Sequence, residues 1–171
     1  GFRLEPGGVY RRVEGEHGED WRWVCSPLRV LALPRDRAGE GWGRLVEVID
    51  PDNRAHRIAV PAELFAGDGR ELRGLLLRLG LQIASGPAAR NALGDLLLQW
   101  RPKARALTAD RLGWADESCT AFVLGDGRVI GAEGVVYQST DGPGPAAEMK
   151  AAGNLDGWKV AVAEPCLGHP V

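Results

Sequence analysis

"RLVEVIDPDNRAHRIAV", residues 44–60, decides the fold. "RLVEVID" and "HRIAV" are rich in β-branched residues, and "DPDN" lies between them. Proline presets its backbone angle, and Asp and Asn hydrogen-bond their own main chain, so the four form a turn. Strand, turn and strand make an antiparallel hairpin.

Toward the N-terminus the same grammar repeats. "GVYRRV" (8–13) and "WRWVCS" (21–26) flank the acidic turn "EGEHGED", and period-two alternation puts Trp21, Trp23 and Cys25 on one face. "LRVLAL" (28–33) is nearly continuous and suits a strand buried on both faces. With the hairpin, these runs predict an antiparallel meander.

Toward the C-terminus the period changes to that of helices. Leu72, Leu75, Leu76 and Leu79 fall at i, i+3, i+4 and i+7, with Asp68 and Glu71 spaced as a capping box and Gly80 as the stop. Leu93, Leu96, Leu97 and Trp100 repeat the template, with Pro87 in the first turn and Pro102 beyond the end. Strands return in "RALTADR" and in "TAFVLGDGRVIGAEGVVYQS", where Asp126-Gly127 marks a tight hairpin. Asn154 caps a last helix carrying Leu155, Trp158 and Val162, which Pro165 should stop. The expected fold is α+β: antiparallel β meanders packed against two amphipathic helices, with a short C-terminal helix.

The bulk numbers narrow the function. Of 171 residues, 21 are Lys or Arg and 23 Asp or Glu, so the formal net charge is −2 and nucleic-acid contact would need a local basic patch. Three widely spaced cysteines do not form a disulfide framework and fit a reducing compartment. No signal peptide opens the chain, and no apolar run reaches the roughly 18–20 residues of a membrane span, so a cytoplasmic protein is expected, with no membrane partner.

A search for chemistry returns little. There is no G-x-x-x-x-G-K-[ST], and "GDGRVIG" (125–131) lacks the spacing and following helix of a dinucleotide loop. Glu14, Glu16, His17, Glu19 and Asp20 read as a solvated turn, and Cys166-x-x-His169 is half a zinc pattern without its second pair. Serines 26, 85, 118 and 139 lie outside a nucleophile elbow, and Cys25 reads as core. No catalytic or metal-binding residue is therefore assigned. Arginines and tryptophan remain. "RDRAGEGWGR" sets Arg35, Arg37 and Arg44 around Trp42 in a glycine-rich loop, and "WRPKAR" adds Arg101, Lys103 and Arg105. Guanidinium planes, an indole and open backbone amides are what single-stranded nucleic acid uses for stacking and phosphate contact.

The ordered run of "GVYRR", "VCSPLRVLAL", "WGRLVEV", "RLGW", "FVLGDGRVIG", "VVYQS" and "LDGWKV" resembles the N-terminal half of the family called domain of unknown function 927. That family is associated with phage, plasmid and other mobile-element proteins in which a helicase-type P-loop ATPase follows, sometimes with a primase upstream. The resemblance implies a non-catalytic accessory domain at 1–139, a linker at 140–153, and a lead-in helix at 154–171 that ends before the Walker loop. It implies ATP and Mg only for that following module, and none in this chain. Implied partners are single-stranded or forked DNA, the ATPase module and a second copy of the chain. The alternative expectation is a protein-interaction or oligomerisation domain that touches no nucleic acid. A metal-dependent nuclease using the acidic turn is the third.

Overall fold

A computed structural model describes residues 1–15, 18–138 and 153–167. The expected linker at 140–153, except Gly153, lies outside these residues, as do Glu16, His17, Ser139 and His169.

Strands β1 (Phe2–Glu5), β2 (Gly8–Gly15) and β3 (Gly18–Cys25) form the N-terminal antiparallel meander, in that order. One expectation is corrected here. Val9 pairs with Cys25 but Tyr10 pairs with Trp23, so Val24 is an extra residue on β3. Such a bulge reverses the alternation of faces. Val24 and Cys25 are therefore both buried, while Trp21 and Trp23 are only half-buried. The guanidinium of Arg3 lies 4.5 Å from the Trp21 ring centre and 5.9 Å from that of Tyr10.

The second sheet contains β4 (Leu28–Arg35), β5 (Gly43–Ile49), β6 (Ala55–Pro61), β7 (Arg105–Ala109) and β11 (Val135–Tyr137), in the order β11-β7-β4-β5-β6. The 44–60 hairpin is present, with Asp50 N–H···O and Asn53 N–H···O bonds closing its turn. β4 alternates instead of burying both faces: Leu28, Val30 and Ala32 are buried, Arg29 is exposed, and Leu31 and Leu33 are intermediate. β7 pairs parallel to β4, and β11 parallel to β7, so the sheet is mixed where an antiparallel meander was expected. The reason lies between β6 and β7. Two helices there provide the long crossover that parallel pairing demands.

These helices are α1 (Arg70–Arg78) and α2 (Pro87–Gln99), preceded by a 3-10 turn at Ala62–Phe65. α1 starts one residue later than the capping-box reading: Gly69 is the cap, and the Asp68 carboxylate accepts from the Arg70 N–H. Its end follows the expectation, with Gly80 N–H bonded to Leu77 O and Leu81 N–H to Leu76 O around a left-handed Gly80. Leu72, Leu76, Leu93, Leu96 and Leu97 are buried against Val9, Val24, Val46, Val48 and Val60 of both sheets. Each such side chain contributes about 1.5–3 kcal/mol.

A small antiparallel sheet, β8 (Gly113–Trp114), β9 (Phe122–Val123) and β10 (Val129–Ile130), interrupts the path from β7 to β11. Asp126-Gly127 turns its β9–β10 hairpin as expected. At the C-terminus α3 (Leu155–Trp158) starts on an Asn154 cap and continues through a π turn (Lys159–Ala163) into α4 (Glu164–Cys166). The helix passes Pro165 instead of stopping there, because the widened turn accommodates a residue without an amide proton. Among the described residues no helix is long and apolar enough to cross a membrane.

Candidate nucleic-acid interface

Of the seven sequence-predicted contact residues, Arg35, Trp42 and Arg105 come together at one end of the mixed sheet. Arg35 is the last residue of β4, and Arg105 is the first of β7. Parallel register sets Arg105 opposite Leu33, two residues from Arg35, so the two arginines share a face. Trp42 sits just before β5 and is 40% exposed. Its ring centre lies 6.0 Å from the Arg35 guanidinium carbon and 5.9 Å from that of Arg105. Three separate strands thus bring an indole and two guanidiniums together.

The loop that carries Trp42 is held closed. Asp36 N–H donates to Glu40 O, Glu40 N–H donates to the Asp36 carboxylate, and glycines 39 and 41 take positive φ. At its far side the Trp42 carbonyl accepts from the Ala62 N–H at 2.9 Å. Gln138, just past β11, donates from Nε2 to Gly41 O at 3.0 Å, although the two are 97 residues apart. No local sequence signal could have found that contact.

Arg37 and Arg44 are engaged elsewhere. Arg37 pairs with Asp116, whose carboxyl is held below the ordinary range first by the Ser118 hydroxyl and further by Arg37. Arg44 turns toward the helices. Its Nε donates to Leu97 O at 3.1 Å, its Nη1 to Gly43 O at 3.0 Å, and its guanidinium lies 6.0 Å from the Phe65 ring centre. Burial first, and the charge of Arg101 second, lower its pKa. Arg101 and Lys103 are exposed and, among the described residues, form no salt bridge. The Arg105 Nη1 is shared among the carbonyls of Pro102, Lys103 and Ala104 at 3.0–3.1 Å.

Among the described residues, reactive groups do not gather at this end. Cys25 is in the core, and burial pushes its thiol up to about 12. Among the described residues no three His, Cys, Asp or Glu side chains converge as a metal site.

The fold therefore defines a three-sheet α+β domain with a cationic, aromatic loop at one end of its mixed sheet. The chain belongs to the family described as domain of unknown function DUF927, whose family model covers residues 2–171. No curated protein matches it in sequence. Among solved structures it is similar in fold to "SCCmec type IV Cch - active helicase", with a TM-score of 0.56 at 14% identity, over 98% of this chain and 30% of that one. The chain thus spans less than a third of that protein's length.

Proposed function

We propose that this chain is the accessory domain of a helicase-type protein and engages single-stranded nucleic acid through Arg35, Trp42 and Arg105, with Arg101 and Lys103 beside them. The observation that carries the reading is the convergence of Trp42 with two guanidiniums from different strands. Bases stack on indole and guanidinium faces whatever their sequence, while the unpaired cations take phosphates. Membership of DUF927 and the fold shared with part of an active helicase support the helicase association. Anisotropy of labelled single- and double-stranded oligonucleotides, at low and physiological salt, tests it. Single-strand binding should fall steeply with salt, and Trp42→Ala should weaken it by about 1–3 kcal/mol without unfolding the domain. No binding at low salt would refute the reading.

The terminal helix supports a second reading, as a docking or self-association element. Leu155, Trp158, Val160 and Val162 are 64%, 54%, 64% and 44% exposed, an apolar surface that water does not favour. The occupant would be the ATPase module, which would carry ATP and Mg, or a second copy. Concentration-dependent mass in light scattering would support self-association, and a strict monomer would remove it.

A further inference from the structure

A cleft of about 780 Å³ opens between β2, α1 and α2. Its floor is apolar, with Phe65, Leu72 and Leu93, and four arginines line it: Arg11, Arg12, Arg73 and Arg90. Two of these are already matched, Arg11 by Asp95 at 2.9 Å and Arg12 by Glu19 at 2.6 Å. The other two have no carboxylate partner among the described residues. Arg73 donates only to the backbone oxygen of Asp68, whose carboxylate is engaged at the Arg70 N–H. Three carboxylates line the cleft as well: Asp95 is matched by Arg11 and Asp68 is engaged at the Arg70 N–H, which leaves Glu14 to oppose an anion there.

Two residues of the cleft border those at the Trp42 end of the sheet. Phe65 lines the cleft, and the Arg44 guanidinium lies 6.0 Å from the centre of that ring. Leu98 lines it next to Leu97, whose carbonyl holds Arg44. Arg44 is two residues along the chain from Trp42, and Arg105 lies beside Trp42. Shared neighbours thus link Arg73 and Arg90 in the cleft, Arg44 at Phe65 and Arg105 at Trp42. At about 1.5 Å per helical residue, α2 from Arg90 to its end spans roughly 14 Å, the length of a few nucleotides.

We infer that the α1–α2 cleft is the second half of a single-strand track, in which Arg73 and Arg90 hold the phosphates of nucleotides following the one stacked at Trp42. This rests on the nucleic-acid reading of Trp42 and extends it to a site of different residues. The unpaired cations Arg73 and Arg90 lie over a floor of Phe65, Leu72 and Leu93 and suit phosphates, which carry no sequence information.

The test compares two oligothymidylates, one of about 5 nucleotides and one of about 15, within the range of site sizes known for single-strand binders. Arg73→Ala with Arg90→Ala should weaken the long probe about tenfold at low salt and leave the short one unchanged. Each lost phosphate contact should flatten the salt dependence of the long probe by about 0.7 in log–log slope. Glu14→Gln should strengthen the long probe. Circular dichroism establishes that the variants fold. If the double variant leaves both probes unchanged while Trp42→Ala weakens both, the cleft is not on the track and the stacking site stands. If neither probe binds the unaltered protein, both readings fall.

Discussion

Arg44→Ala separates a side chain that holds the fold from one that holds a ligand. Leu97 lies in the last turn of α2, where carbonyls have no partner within the helix. The Arg44 Nε supplies that partner, and its charge complements the negative end of the helix dipole. Removing it deletes one charged hydrogen bond, worth about 1.5–3 kcal/mol, and a contact with Phe65 worth about 0.5–1 kcal/mol. The side chain is only partly buried, so water recovers part of the first figure. A net loss of about 1–2 kcal/mol remains, or roughly 2–8 °C in Tm for a domain of this size. Thermal and urea unfolding followed by circular dichroism would measure it. Arg44→Lys should recover only part, because an ammonium lacks the planar fork that reaches two carbonyls. At a temperature where the variant is folded, single-strand affinity should change far less than in Trp42→Ala. Unchanged stability with a tenfold loss of binding would refute the assignment and return Arg44 to the ligand.

Three further outcomes are expected. A Cβ on Gly43 would sit 2.5 Å from Val60 O and from Gln138 Oε1, so Gly43→Ala should cost about 1–3 kcal/mol in urea unfolding. The Asp50 carboxyl is lowered, first by its hydrogen bond with His56 and next by the Arg54 N–H. A depressed carboxylate contributes stability that is complete above the unfolded value near about 4 and is lost as pH falls through the folded value. Tm should therefore drop more steeply below about pH 4 in the unaltered protein than in Asp50→Asn; parallel curves would sink this. In a Cys166→Ser background, exposed Cys119 should react at once with a thiol reagent, and Cys25 only on unfolding.

Local signals in the chain predicted local structure well. The leucine spacings in 72–79 and 93–97 became α1 and α2 because both stripes found a sheet to cover. The DPDN and Asp126-Gly127 turns formed because their geometry depends on residues within the turn. Strand partnership is different. Whether β7 joins β4 or starts a new hairpin depends on where a 40-odd-residue crossover sets it down, and residues 105–109 carry no trace of that. The single extra residue at Val24 is equally silent, yet it sends Trp21 and Trp23 to the face opposite Cys25. Period-two reasoning fails at one bulge and stays wrong for the rest of the strand.

The site divides along the same line. Arg35 and Trp42 were legible together because one short loop joins them, whereas Arg105 reached them only through parallel pairing. Arg37 was indistinguishable from Arg35 in the chain, and its partner Asp116 comes from 79 residues away. Net charge is silent on the site in another way. A formal −2 counts every side chain equally, but a bound strand feels mainly charges within a Debye length of about 8–10 Å. Arg35, Arg101, Lys103 and Arg105 have no carboxylate partner among the described residues, while Arg3, Arg11, Arg12, Arg37 and Arg57 each do. Salt bridges thus engage one set of cations and leave the set around Trp42 without a carboxylate partner among the described residues. A salt series on Arg101→Ala and Arg12→Ala should show it: the first should flatten the single-strand slope by about 0.7, and the second should leave it unchanged.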